Sequence, residues 1–291
     1  NFLTLVPCLT IFHNMSKDFS YYTSDNHKIK ITVYGDLTRT QPAVILAHGF
    51  KGFKDWGFFP VAAEIISDSG LTVVTFNFSH NGIGENTNEF TDFAKFAANT
   101  YSREVDEVIE ISEILKNGFF DGFVPAGIAL IGHSRGGAVS LLASASVNPF
   151  CIVTWAAISN FHRYSERQKD EWRTNGFIKT TNLRTGQDFE MNLSFLEDIE
   201  KNSAGKLNIK KAVQNLNIPY LIIHGEEDIP VKIAEAEKLY NWADKNQTQM
   251  QIIEKAGHTF NINHPFEKSN PAFEKLLELT IPFLKTHLIV R

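Results

Sequence analysis

The sequence predicts an α/β fold: a mostly parallel central sheet with helices on both faces and a small cap insertion. Three observations carry this. Short apolar runs such as Ala43 to Ala47 and Gly127 to Ile131 recur along the chain, as expected of strands covered on both faces. Between them lie segments with apolar residues at helical spacing, for example Val105, Val108, Ile109 and Ile111. Strands alternating in this way with helices form parallel sheets.

In order, Lys28 to Tyr34 alternates and ends at Gly35, an outer strand and turn. Ala43 to Ala47 is a buried strand. Phe58 to Ser69 reads as a helix with Pro60 in its first turn and Gly70 as its stop. Leu71 to Phe78 is a β-branched and aromatic strand, and Phe93 to Leu115 reads as one helix ended by Asn117-Gly118. The strand Gly127 to Ile131 leads into a helix from Gly136 to Val147, stopped at Asn148-Pro149. Cys151 to Ile158 and Tyr220 to Ile223 are further buried strands, Val231 to Asp244 and Pro271 to His287 are helices, and Gln249 to Ile253 is the last strand. Residues 160–206 break the alternation. They set Phe161, Tyr164, Trp172, Phe177, Phe189 and Phe195 among polar residues, and they read as a cap over the sheet's carboxyl edge.

Composition agrees with one large domain over residues 15–291. The chain has 291 residues, 43 % hydrophobic and 21 % charged, enough to bury most of its apolar surface in one core. Its 28 basic against 33 acidic residues give a net charge of −5, the wrong bias for a protein that grips phosphate backbones. Two cysteines, Cys8 and Cys151, suggest neither a disulfide scaffold nor a cysteine metal site. Cys151 opens an apolar run and reads as a small core residue. Residues 1–14 are apolar but have no preceding Lys or Arg and no clear cleavage site. They are either an N-terminal extension or sequence upstream of a start at Met15. No segment reaches the roughly 18 apolar residues of a membrane helix, so a cytoplasmic protein is expected.

Parallel sheets place ligands beyond the carboxyl ends of their strands, and the chemistry-bearing residues cluster in those loops. Gly132-His133-Ser134-Arg135-Gly136 fits G-x-S-x-G directly between a buried strand and a helix, the context that a nucleophile elbow requires. A serine hydroxyl needs a base. His258 sits in Ala256-Gly257-His258 just after the last strand. A base needs an orienting carboxylate, and Asp228 follows the strand Tyr220 to Ile223 in His224-Gly225-Glu226-Glu227-Asp228, with Glu226 and Glu227 as fallback acids. The oxyanion of an acyl-transfer intermediate needs amide donors. Arg135, after the serine, offers one, and Phe50 in His48-Gly49-Phe50 offers the second. His48 and His224 end strands as His-Gly and read as structural; the His133 side chain is expected to point away from the serine. His80 also follows a strand and is a candidate pocket wall, together with Phe53, Trp56 and Trp172.

With these residues in view, the chain resembles the α/β-hydrolase superfamily from about Ile29 to Leu288, in the order Ser134, Asp228, His258. Asn81-Gly82-Ile83-Gly84-Glu85 looks like that family's Arg-Gly-x-Gly-x-Ser loop, with Asn81 and Asn86 departing from it. Within the superfamily the chain is similar to dienelactone-hydrolase-like and prolyl-oligopeptidase-like esterases, with feruloyl esterases near in style. Ser134 stands where dienelactone hydrolases carry cysteine, which argues against their activity, and the lack of a propeller domain weakens a peptidase reading. The resemblance implies the α/β-hydrolase fold and a serine carboxylesterase acting through an acyl-enzyme, with no metal or organic cofactor. Its expected partner is a small-molecule ester, not nucleic acid or a membrane. Removing a histidine proton should raise its rate with pH. Two alternatives stand beside it: a peptidase or amidase of the prolyl-oligopeptidase type, and a catalytically silent small-ligand binder.

Overall fold

The computed structural model describes residues 16–85, 88–182 and 185–288. The questions raised by residues 1–14, Cys8, Met15 and Asn86 fall outside them. The strands are β1 (Ser16–Tyr22), β2 (Lys28–Tyr34), β3 (Ala43–Ala47), β4 (Thr72–Phe76), β5 (Ile128–His133), β6 (Cys151–Trp155), β7 (Phe177–Thr181), β8 (Asp188–Asn192), β9 (Tyr220–Gly225) and β10 (Thr248–Ile253). The helices are α1 (Phe59–Asp68), α2 (Phe93–Ala97), α3 (Tyr101–Lys116), α4 (Arg135–Val147), α5 (Glu166–Asn175), α6 (Leu193–Asn202), α7 (Ile209–Gln214), α8 (Ile233–Trp242) and α9 (Pro271–Leu288).

Eight strands form one sheet in the order β1-β2-β4-β3-β5-β6-β9-β10. The first two pairings are antiparallel and the rest parallel. β3, β4, β5 and β6 are buried along their whole length, which is why their sequences are unbroken apolar runs rather than alternating ones. The helices that connect parallel strands must cover both faces. α1 packs with α9 on one, while α3, α4, α7 and α8 form a continuous layer on the other. Cys151 is buried at the start of β6, as its apolar surroundings predict. Among the described residues no helix is long and apolar enough to cross a membrane.

Helix α7 (Ile209–Gln214) has no counterpart in the sequence expectation, and two further elements differ from it for local reasons. The single helix expected over Phe93 to Leu115 is two, because Thr100 adopts an extended backbone and its hydroxyl accepts the Arg103 amide, starting α3 afresh. Asn99 adds to the stop by accepting the Thr100 amide at 2.9 Å. The antiparallel edge strand β1 was not anticipated. Its alternation of exposed and half-buried positions in Ser-Lys-Asp-Phe-Ser-Tyr-Tyr is too polar to read as an apolar strand.

The segment 160–206 folds as α5, the two-stranded antiparallel sheet β7–β8, and α6. Ser165 and Gln168 form a capping box at the start of α5, and Gly176 closes its end in the left-handed region, where glycine has no side-chain penalty. Trp172 stacks on Phe195 at 5.9 Å and meets Tyr164 edge-on at 5.0 Å. These rings give the insertion a small core of its own, which joins the main body where Tyr101 stacks on Phe161 at 3.7 Å.

Candidate active site

Ser134 stands between β5 and α4 with φ +56° and ψ −119°, a strained backbone for a residue with a side chain. The turn is held because the Ser134 amide donates to the Trp155 carbonyl at 2.8 Å. It is also held by close packing. A Cβ at Gly132 would lie 2.3 Å from the Gly136 carbonyl oxygen, and one at Gly136 would lie 2.4 Å from that of His48. The glycine spacing of the motif is therefore a steric requirement of this turn. The loop after β3 comes equally near, since a Cβ on Gly49 would sit 2.9 Å from the Ser134 Cβ.

The loops after β9 and β10 bring two further groups to this point. His258 Nε2 is 3.0 Å from Ser134 Oγ, and His258 Nδ1 is 2.8 Å from Asp228 Oδ2. A carboxylate only accepts, so Nδ1 carries the ring proton, and Nε2 is left with a lone pair facing the hydroxyl. Asp228 is itself held. Its Oδ1 accepts the Val231 amide at 2.8 Å, and Oδ2 lies 3.3 Å from His224 Nε2. Burial pushes the Asp228 carboxyl up, but hydrogen bonds from His224, His258 and the Val231 amide outweigh it and bring its pKa down to about 2. It stays ionised throughout the neutral range. Glu226 is occupied elsewhere, accepting the Lys255 amide at 3.1 Å.

The remaining strand-end histidines have separate partners. His48 is buried. Its Nδ1 donates to the Gly49 carbonyl at 2.9 Å and its Nε2 accepts the Phe78 amide at 3.3 Å, and burial pulls its pKa to about 3. A neutral His48 thus ties the loop after β3 to the loop after β4. His224 Nε2 donates to the Val231 carbonyl at 2.7 Å, fixing the turn that carries Asp228. His133 Nε2 lies 2.9 Å from the His258 carbonyl oxygen; it is turned from the serine toward the backbone of the neighbouring loop.

A cavity of about 470 Å³ opens over Ser134 and His258. Phe50 and Arg135 line it, as do Tyr101, Ile158, Tyr164 and Val231. The insertion contributes Thr180, Thr181 and Asn182. The four expected pocket residues are not among its walls. Phe53 packs on Phe90 and His264, with ring centres 6.1 and 5.2 Å away. Trp56 stacks on His264. His80 bonds Ser79 Oγ through Nδ1 at 2.7 Å and meets His27 edge-on. Trp172 is wholly buried inside the insertion. Each is a large ring that a core claims before a cavity can. Tyr101 and Tyr164 take the wall instead. Tyr101 was hidden within a helix read as continuous, and the Asn99-Thr100 cap was the signal that exposes it at a helix start.

The sheet order and the strand-end site define the class: the chain has the α/β-hydrolase fold. Residues 56–287 match the prolyl oligopeptidase family, and the chain belongs to that family. No curated protein matches it. Among solved structures it is similar to Est1E from Butyrivibrio proteoclasticus with ferulic acid bound, at 15 % identity over 93 % of this chain and 99 % of that one, TM-score 0.69. An α/β hydrolase from Penicillium shares 17 % identity over 94 % and 99 %, TM-score 0.67. A dienelactone hydrolase from Anabaena variabilis shares 16 % identity over 95 % and 100 %, TM-score 0.60.

Proposed function

We propose that this protein is a serine hydrolase that cleaves a carboxylic ester through an acyl-enzyme. The observation that supports it most is the unbroken line from Ser134 Oγ through His258 to Asp228, at 3.0 and 2.8 Å. His258 Nε2 takes the hydroxyl proton as Ser134 Oγ attacks the ester carbonyl. The tetrahedral oxyanion lies toward the amides of Phe50 and Arg135. Collapse expels the alcohol, which receives the proton from His258. Water then repeats the sequence on the acyl-enzyme and releases the acid. Asp228 keeps the imidazole in the Nδ1–H form and stabilises the imidazolium.

The walls Phe50, Tyr101, Ile158, Tyr164 and Val231 favour an apolar or aromatic acyl group, and the structural likeness to a ferulate-binding esterase agrees with that. The segment β7–β8 acts as the cap that bounds it. The test is Ser134→Ala on p-nitrophenyl butyrate together with a fluorophosphonate probe. Turnover falls by several orders of magnitude and labelling disappears in a variant that still folds. Undiminished turnover rejects the assignment.

Membership of the prolyl oligopeptidase family favours a second reading, the same machinery acting on an amide. An aminoacyl-prolyl p-nitroanilide assayed beside the ester separates the two: a larger kcat/KM on the anilide selects the peptidase.

A further inference from the structure

We infer that the buried ion pair between Arg135 and Glu104 braces the oxyanion hole, which makes these two side chains positioning residues for the reaction. The inference rests on the hydrolase reading above. Arg135 follows the nucleophile, so its amide is one of the two oxyanion donors, and Phe50 supplies the other. The Arg135 side chain joins them directly: its guanidinium carbon lies 4.6 Å from the centre of the Phe50 ring. It also lies 5.5 Å from the centre of the Tyr101 ring, a second wall of the same cavity.

Glu104, on α3, fixes this guanidinium. Arg135 Nη2 donates to Glu104 Oε1 at 2.5 Å, and the two side chains are 5 % and 0 % exposed. The same Oε1 accepts from Asn99 Nδ2 at 2.8 Å. The contacts therefore run from Asn99 through Glu104 and Arg135 to Phe50, from the start of α3 to the loop after β3. A planar guanidinium held at one end by a carboxylate has a fixed plane to offer a ring, which a flexible ammonium lacks.

Stability is a poor reason for the pair. Buried ion pairs are often no better for folding than apolar residues of equal volume. Among the described residues this one also leaves Arg135 Nε and Glu104 Oε2 buried without hydrogen-bond partners, which costs free energy. Its contribution is to geometry. Two amides from separate loops stabilise one oxygen only if their spacing is held, and a misplacement of about 1 Å at a reacting centre costs on the order of a hundredfold in rate.

Two variants test this on p-nitrophenyl butyrate, with butylboronic acid as an inhibitor that forms an anionic adduct on a reactive serine. Arg135→Lys keeps a cation opposite Glu104 and removes the planar contact with Phe50. Arg135→Met with Glu104→Gln removes both charges and leaves no unpaired buried ion. In each, kcat falls about 10- to 100-fold while KM changes less than about threefold, because only the transition state uses the oxyanion donors. Inhibition by butylboronic acid weakens by a similar factor. A folded variant with kcat within about twofold of the parent, or one whose loss lies in KM, overturns the brace. If the double variant does not fold, Arg135→Lys alone decides. A parent protein that neither hydrolyses the ester nor reacts with a fluorophosphonate overturns the hydrolase reading and the brace with it. A reactive parent with unimpaired variants overturns only the brace.

Discussion

The carboxyl edge of the sheet and the insertion above it face one cavity but are built on different principles. At the edge, Ser134, Phe50, Asp228 and His258 all follow closely on the ends of β5, β3, β9 and β10. Their places are set by parallel backbone ladders, with side chains added at the last step. In the insertion, position comes from side-chain packing. Trp172 and Phe195 turn inward on one another, while Thr180, Thr181 and Asn182 meet the cavity. The lesson is that the edge can hold Ser134, His258 and Asp228 within hydrogen-bond reach because its geometry is inherited from the backbone, whereas the insertion supplies a wall that other side chains can supply equally well.

Asp228→Asn is the severest way to break this comparison. It leaves the strand ends in place but offers His258 an amide where the proton-holding carboxylate stood. The expected loss in kcat is about 10³- to 10⁴-fold with the thermal midpoint little changed. A loss below tenfold in the p-nitrophenyl butyrate assay would show that the edge geometry is not what carries the reaction.

Trp172→Ala sharpens the comparison from the other side. Deleting a wholly buried indole costs about 3–5 kcal/mol, and here it falls on the insertion's own core. Limited proteolysis should cut within residues 160–206 while a fluorophosphonate still labels Ser134. Loss of labelling in step with cleavage would mean that edge and insertion are one cooperative unit.

The same contrast explains what the sequence could tell. The elbow was legible because the contacts at Gly132 and Gly136 forbid any other residue type, so the steric requirement is written as letters. The meeting of His258 with Asp228 was legible because a parallel sheet leaves few strand-end loops where two such groups can come together. The pocket was not, since an aromatic residue in a list looks the same whether it faces a cavity or a core. Phe53, Trp56 and Trp172 went to cores, and Tyr101 reached the wall only because Thr100 restarts the helix. The partnership of Arg135 with Glu104 spans 31 residues and has no periodic signature, so only tertiary structure shows it.

A pH experiment tests whether charge buried at the edge is felt where the insertion's is not. The insertion's pairs, such as Arg173 with Glu200, are partly exposed and contribute about 0–1 kcal/mol each. Below the edge, Glu107 is buried and accepts the Ser79 amide at 2.9 Å and the Ser79 hydroxyl. Burial raises its pKa to about 8, against the lowering effect of those bonds. Between the ordinary glutamate value and 8 the folded chain keeps a proton that the unfolded chain has lost, so stability is full below that range and falls as pH rises through it. Glu107→Gln should flatten this dependence and be more stable than the parent at pH 8 by about 1–3 kcal/mol. Urea unfolding at pH 5 and pH 8 measures it, and parallel declines in both proteins would contradict the assignment.

The smallest effect belongs to the joint between the two regions. Lys51 Nζ donates to Thr180 Oγ1 at 2.9 Å and to the Thr181 carbonyl at 2.7 Å, tying the loop after β3 to β7. The loop keeps its own shape without this tie, because the Gly52 amide donates to the Gly49 carbonyl at 3.1 Å and His48 holds the same carbonyl. Lys51→Met therefore removes a partly exposed contact contributing about 0.5–1.5 kcal/mol while leaving the Phe50 amide where it is. KM for a bulky aryl ester should rise a few-fold, roughly as that energy predicts, and kcat for p-nitrophenyl butyrate should hold. If kcat falls as steeply as KM rises, the insertion does more than bound the cavity. It then helps to place the loop after β3, and the division between a positioning edge and a passive wall gives way at this residue first.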